Sequence, residues 1–166
     1  MQFVKQYRGL HAKGLFQGYS LLQHVPQIAD LVSEFGSKRL LDYGCGMGRQ
    51  YTHERAHLAL GVQVPVLYDP AVAEWVVKPA GKFDGVICTD VLEHVPEEHL
   101  ELRAVVEEIA AFATQWAFIS VCCRPSKHIR FDDGTNVHVT IHPFEWWREY
   151  LGPRFTKARL VLVESP

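Results

Sequence analysis

Leu40-Leu41-Asp42-Tyr43-Gly44-Cys45-Gly46-Met47-Gly48 is an apolar strand that runs into three glycines at alternate positions. Glycine lacks a Cβ and tolerates positive φ, so such a turn can pass close beneath a bound molecule. A helix beginning there aims its first N–H groups at whatever lies over the turn. Two further segments follow in order. Val64-Pro65-Val66-Leu67-Tyr68-Asp69 reads as a short strand ending in an acid. Phe83-Asp84-Gly85-Val86-Ile87-Cys88 is almost wholly apolar, as expected of a strand covered on both faces. It opens into Thr89-Asp90-Val91-Leu92-Glu93-His94.

The remaining pattern alternates helix and strand. Pro26 and the spacing of Ile28, Leu31, Val32 and Phe35 predict a helix over 26–36, stopped by Gly36. A strand over 39–43 and a polar helix near 48–60 surround the glycine turn. Residues 70–82 are too few for a helix, a strand and both connections, so the segment between the second and third predicted strands holds neither in full. Pro96-Glu97-Glu98 opens a helix whose apolar stripe is Leu102, Val105, Val106, Ile109 and Phe112. A buried strand over 116–122, a polar loop at 124–137, a short helix over 143–151 and a last strand over 159–164 complete the chain. The spacing predicts an α/β, Rossmann-like, mostly parallel sheet with helices on both faces. It forms a single domain, 1–166, with 1–25 as a candidate N-terminal lid. In such sheets the ligand lies outside the carboxyl ends of the strands, where strand order reverses.

Bulk properties narrow the class. The 166 residues are 48% hydrophobic and 22% charged, with a net charge of −2. That balance excludes nucleic-acid binding through the whole surface and leaves only a local patch. No apolar run approaches the roughly 20 residues of a membrane span. The start of the chain lacks the apolar core of a secretory signal, so a cytoplasmic protein is expected. Cys45, Cys88, Cys122 and Cys123 form no Cys-x-x-Cys pair and are expected to be reduced.

Over residues 26–123 the three segments resemble the class I S-adenosylmethionine-dependent methyltransferases. The Gly-x-Gly-x-Gly spacing differs from the Gly-x-Gly-x-x-Gly of nicotinamide binders. The resemblance implies that Gly44, Cys45 and Gly46 pass under the amino-acid part of S-adenosyl-L-methionine and that Asp42 faces its ammonium group. Asp69 then accepts from the ribose hydroxyls, and Thr89, Asp90 and Val91 line the adenine and methionine side. The third strand of that fold is absent or vestigial here. The acid that often meets the adenine amino group in the family therefore has no counterpart in the sequence. Trp75 reads as a packing residue.

Methyl transfer is an in-line displacement that depends on positioning. A base is needed chiefly when the acceptor is a hydroxyl. Asp90, Glu93, His94, His128, Asp132, Asp133, His138 and His142 are candidates, with His94, His138 and His142 preferred. If 137–142 is a strand, its period of two places His138, Thr140 and His142 on one face. The segment also partly resembles the RNA 3′-terminal 2′-O-methyltransferases, in which Glu-x-x-Glu-His and a distant His bind a divalent metal. Here Asp90, Glu93 and His94 with His138 or His142 would be the Mn²⁺- or Mg²⁺-binding set, an alternative to metal-free transfer. The acceptor stays open among small polar molecules, sugars and nucleotides, a nucleic acid included. Oligomeric state is also open, as is a non-catalytic subunit that works with a partner. Gly14-Leu15-Phe16-Gln17-Gly18-Tyr19-Ser20 has the glycines and rings of a lid, and one of Trp146-Trp147 is a candidate for lining a substrate pocket.

Overall fold

The apolar runs at 40–43, 66–68, 83–89, 113–121 and 159–164 are the strands of the computed structural model, which describes residues 2–165. They are β1 (Leu40–Tyr43), β2 (Val66–Tyr68), β3 (Phe83–Thr89), β4 (Ala113–Val121) and β5 (Arg159–Glu164), ordered β2-β1-β3-β4-β5. All four pairings are parallel. Leu41 stands between Val66 on one neighbour and Val86 on the other. The described residues form no strand between β2 and β3, as the short connection requires.

Alternation along the strands divides the core into two layers. Leu41, Val86, Ala117 and Ile119 face α5 (Glu101–Phe112) and α6 (Phe144–Leu151), which bury Leu102, Val106, Ile109, Trp147 and Leu151. Leu40, Ile87 and Phe118 face the opposite layer, where α2 (Val25–Phe35) buries Ile28, Leu31 and Val32. Each fully buried aliphatic side chain contributes about 1.5–3 kcal/mol relative to exposure. Gly36, left-handed at φ 61°, closes α2 as expected.

Two expectations need correction. The predicted helix over 48–60 is two single turns, α3 (Arg49–Thr52) and α4 (Ala56–Ala59). With no continuous apolar stripe to dock, the chain breaks at Arg55, which adopts φ 53°. Residues 137–142 are not a strand, because their backbone is spent on another element. The N–H groups of Val139 and Thr140 donate to the Glu93 carbonyl, and the Thr140 hydroxyl donates to that of Val95. The N-terminal region also holds α1 (Gln2–Ala12), whose Tyr7 and Leu10 pack with Ala71, Phe131 and Val137 in a small third cluster.

Strand order reverses at β1. The chain leaves β1 for β2 on one side, then crosses to β3 on the other. The crevice at their carboxyl ends carries the glycine turn, Asp69 and the loop after Thr89.

Candidate active site

A cavity of about 610 Å³ opens at this crevice, within the range of small-molecule sites. Of the residues expected to bind cofactor, Gly44, Cys45, Gly46, Asp69, Thr89, Asp90 and Val91 line it. Gly44 adopts φ 81°, and a Cβ there would overlap the Val91 side chain. Turn and loop therefore close on each other only with glycine at 44.

Asp42 lies beneath the cavity rather than on its wall. Its Oδ2 accepts from Gln50 Nε2 at 2.6 Å and from the Tyr51 hydroxyl at 2.8 Å. Its Oδ1 is buried without a hydrogen-bond partner. Burial pushes the carboxyl up to about 7 against the pull of those two donors. Asp69 Oδ2 accepts from the Gly46 N–H at 3.0 Å and Oδ1 from the Ala71 N–H at 2.8 Å. Those bonds fix the carboxylate at the cavity edge with lone pairs to spare. Burial raises Asp69, while the two amides and the nearby His11 oppose the rise.

What sits over the glycine turn is the chain itself. The Met47, Arg49 and Gln50 N–H groups donate to the carbonyls of Phe16, Gln17 and Gly18 at 3.4, 3.3 and 2.9 Å. The segment 14–20 is thus tied down across the turn. Gly18, at φ 77°, leaves no room for a Cβ, which would strike the Cys45 carbonyl oxygen.

Beyond the turn, Tyr7, His11, Phe16 and His94 line one end of the cavity. Phe16 and His94 meet edge to face at 5.2 Å, and Tyr7 and His94 at 5.4 Å. The Tyr7 hydroxyl donates to the Val137 carbonyl at 2.6 Å. His94 Nδ1 lies 3.0 Å from both that carbonyl and the Tyr7 oxygen. A carbonyl only accepts, so Nδ1 carries the proton and Nε2 keeps the lone pair. Burial, with His138 alongside, lowers His94 to about 4, which keeps the ring neutral.

The other catalytic candidates separate. His138 Nδ1 lies 2.6 Å from the Arg124 carbonyl, and its ring meets that of His94 at 4.8 Å. Glu93 is fully buried; its Oε1 accepts from the Cys122 N–H at 3.0 Å, and its Oε2 has no hydrogen-bond partner. Ligand atoms of Glu93, His94 and His138 lie within 4.8 Å of one another. Burial and the neighbouring Asp90 push the Glu93 carboxyl up to about 8. Asp90 is turned elsewhere: at φ 55° its Oδ1 accepts from the Ser120 and Ser165 hydroxyls. His142 does not join this group. Without the expected strand it lies on the surface, bonded to Glu97 at 2.8 Å and stacked on Trp146 at 3.7 Å. His128 is exposed, Asp132 pairs with Lys13 and Asp133 with Thr135, all away from the cavity. Trp147 is core, and neither it nor Trp146 reaches the cavity wall. Trp75 packs beside Gly48, as expected of a packing residue.

Sequence reasoning missed Tyr7, His11, Lys78 and Glu108 as cavity residues. The spacing of Val4, Tyr7 and His11 does follow one face of a helix, a signal legible in retrospect.

A family model described as a methyltransferase domain matches residues 20–161, from the turn before α2 into β5. The chain belongs to this methyltransferase family. Its fold is that of the class I S-adenosylmethionine-dependent methyltransferases, and the glycine turn, Asp69 and the loop after β3 line its cavity. The methyltransferase is similar to a ubiquinone biosynthesis O-methyltransferase of Bordetella avium (strain 197N), at 29% identity over 125 residues. That match takes in 63% of this chain and 51% of the relative, so the chain spans about half the relative's length. No solved structure matches the chain. No helix among the described residues is long and apolar enough to cross a membrane.

Proposed function

We propose that this methyltransferase methylates a hydroxyl on a planar aromatic acceptor, with His94 taking the hydroxyl proton. The observation that carries the proposal is the fixed tautomer of His94, whose Nδ1–H is spent on the Val137 carbonyl. Nε2 is left as a proton acceptor on a ring that lines the cavity. Tyr7, Phe16 and His11 present ring edges and faces at the same end, which suit a flat acceptor. The similarity to an O-methyltransferase of ubiquinone biosynthesis supports the same acceptor class.

The residues suit S-adenosylmethionine, which when bound supplies the electrophilic methyl group. Gly44–Gly46 bring bare backbone to the cavity, and Asp69 offers lone pairs for ribose hydroxyls. The test is turnover of simple catechols and hydroxybenzoates against ribose-bearing acceptors. His94→Ala should lower kcat by about 10²–10⁴-fold while leaving S-adenosylhomocysteine affinity intact. Equal activity of His94→Ala and the parent would contradict His94 as the base.

A second reading rests on the cluster of Glu93, His94 and His138. Both imidazoles have Nδ1 at a backbone carbonyl, the arrangement that orients Nε2 toward a metal. A divalent cation held there would lower the pKa of an acceptor hydroxyl, as on an RNA 2′-position. Activity abolished by a chelator, restored by Mn²⁺ in the parent and not restored in His138→Ala would favour this reading. Full activity in the chelator would exclude it.

A further inference from the structure

We infer that two acid-free segments, 1–29 and 122–131, select an acceptor that carries a negative charge, an aromatic hydroxy acid rather than a neutral phenol. The inference rests on the aromatic-hydroxyl reading above and narrows its substrate class.

The chain holds 19 Asp and Glu against 17 Lys and Arg. None of those acids falls in 1–29 or 122–131, whereas Lys5, Arg8, Lys13, Arg124, Lys127 and Arg130 all do. The two segments stand far apart in sequence, and the fold joins them. Tyr7 and Leu10 of α1 pack with Phe131 and Val137, and the rings of Tyr7 and Phe131 meet edge to face at 5.2 Å. Tyr7 also lines the cavity, at the end it shares with His11, Phe16 and His94.

Both segments are fixed beside that end. Asn136 braces the loop: its Oδ1 accepts from the N–H groups of Ser126 at 3.1 Å and His138 at 2.9 Å, and its amide donates to the Ser126 carbonyl at 3.1 Å. The Arg124 carbonyl lies 2.6 Å from His138 Nδ1, and the His138 ring meets that of His94 at 4.8 Å. On α1, Arg8 Nη2 donates to the carbonyl of Pro70, a cavity residue, at 3.3 Å.

The charge is left largely uncancelled. Lys13 pairs with Asp132, and Asp133 is bonded to Thr135. Lys5, Arg8, Arg124, Lys127 and Arg130 are exposed and pair with no carboxylate among the described residues. One exposed cation is only a solvated charge. Several of one sign around a cleft sum to a field that concentrates the opposite charge there. The carboxylates that line the cavity, Asp69, Asp90, Glu101 and Glu108, belong to neither segment. Since acids outnumber bases over the rest of the chain, a long polyanion would be repelled beyond this rim. A small anion meets only the favourable part of the field.

The experiment compares 3,4-dihydroxybenzoate with 3,4-dihydroxybenzamide, which share the ring and hydroxyls and differ in charge. The ratio of their kcat/KM values is read with the full chain. At about 10 mM salt, where the Debye length is about 30 Å, the parent should favour the benzoate by about tenfold. At about 1 M, where it is about 3 Å, that ratio should fall at least about fivefold. Arg8→Gln combined with Lys127→Gln should lower the low-salt ratio by about threefold or more. Lys38→Gln combined with Lys157→Gln removes as much charge at the amino ends of the parallel strands, away from the crevice, and should keep the parent's ratio. A ratio indifferent to salt in the parent would overturn the inference without any variant. Equal ratios in the two double variants would overturn it as well. A parent that methylates neither compound would instead remove the aromatic-hydroxyl reading, and the inference with it.

Discussion

At the scale of single residues, the site depends on buried carboxyls whose surroundings decide their charge. Asp42 shows the consequence most clearly. Its folded pKa, near 7, lies above the usual carboxylate value, so the folded state holds its proton more tightly than the unfolded chain. The stability this contributes is fully present below about pH 4 and is lost as pH rises through about 7. Asp42→Asn should therefore flatten the decline of Tm between pH 4.5 and 7.5, measured by circular dichroism. An unchanged slope would show that Asp42 is ionised throughout. The proposed function assigns cofactor affinity to Asp69 instead, whose two oxygens also order the Gly46 and Ala71 amides. Asp42 and Asp69 were legible because one lies near the end of β1 and the other directly after β2. Glu108 was not, because in sequence it is one more acid on a helix rich in them. Its place on the cavity wall follows from a fold that only three dimensions display.

At the scale of elements, the segment 14–20 and the glycine turn form one unit. Three amides after the turn's second glycine donate to that segment, and Gly18 lies against the Cys45 carbonyl. Gly18→Ala should cost at least about 1–2 kcal/mol from its positive φ alone, with steric overlap adding to it. Urea unfolding would measure the loss, and S-adenosylhomocysteine affinity should fall with it. Parent-like stability and affinity would mean that the segment moves aside freely. Two residues of the site, Phe16 and Asp90, hold positive φ without being glycine, as strained positions at functional sites often do. The strands and α2 were readable because apolar periodicity sets them. The split of the helix after the turn was partly readable, since its stripe is weak. The course of 137–142 was not, because alternation alone fits a strand until the carbonyls of Glu93 and Val95 claim the backbone donors.

At the scale of the whole molecule, two apolar layers hold a five-stranded parallel sheet, and the site stands on the end that neither layer covers. Leu102 is fully buried between α5 and the sheet. Leu102→Ala should cost about 2–5 kcal/mol, a large part of the 5–15 kcal/mol typical of a domain. Chemical denaturation would register it as a lower midpoint with an unchanged slope. The fold class was legible throughout, for it follows from strand and helix alternation and from the short connection after Asp69. The end of the cavity lined by Tyr7 and His11 was less so, because both come from a helix outside the recognisable core. The central claim is that the crevice at β1 and β3 binds an adenosyl sulfur amino acid. The most direct measurement is calorimetric titration of the purified protein with S-adenosylhomocysteine, beside Asp69→Ala. The account predicts saturable one-to-one binding that weakens by at least about tenfold in the variant, as expected for losing hydrogen bonds to a charged group. No binding to folded parent protein, or equal binding by both, would contradict it.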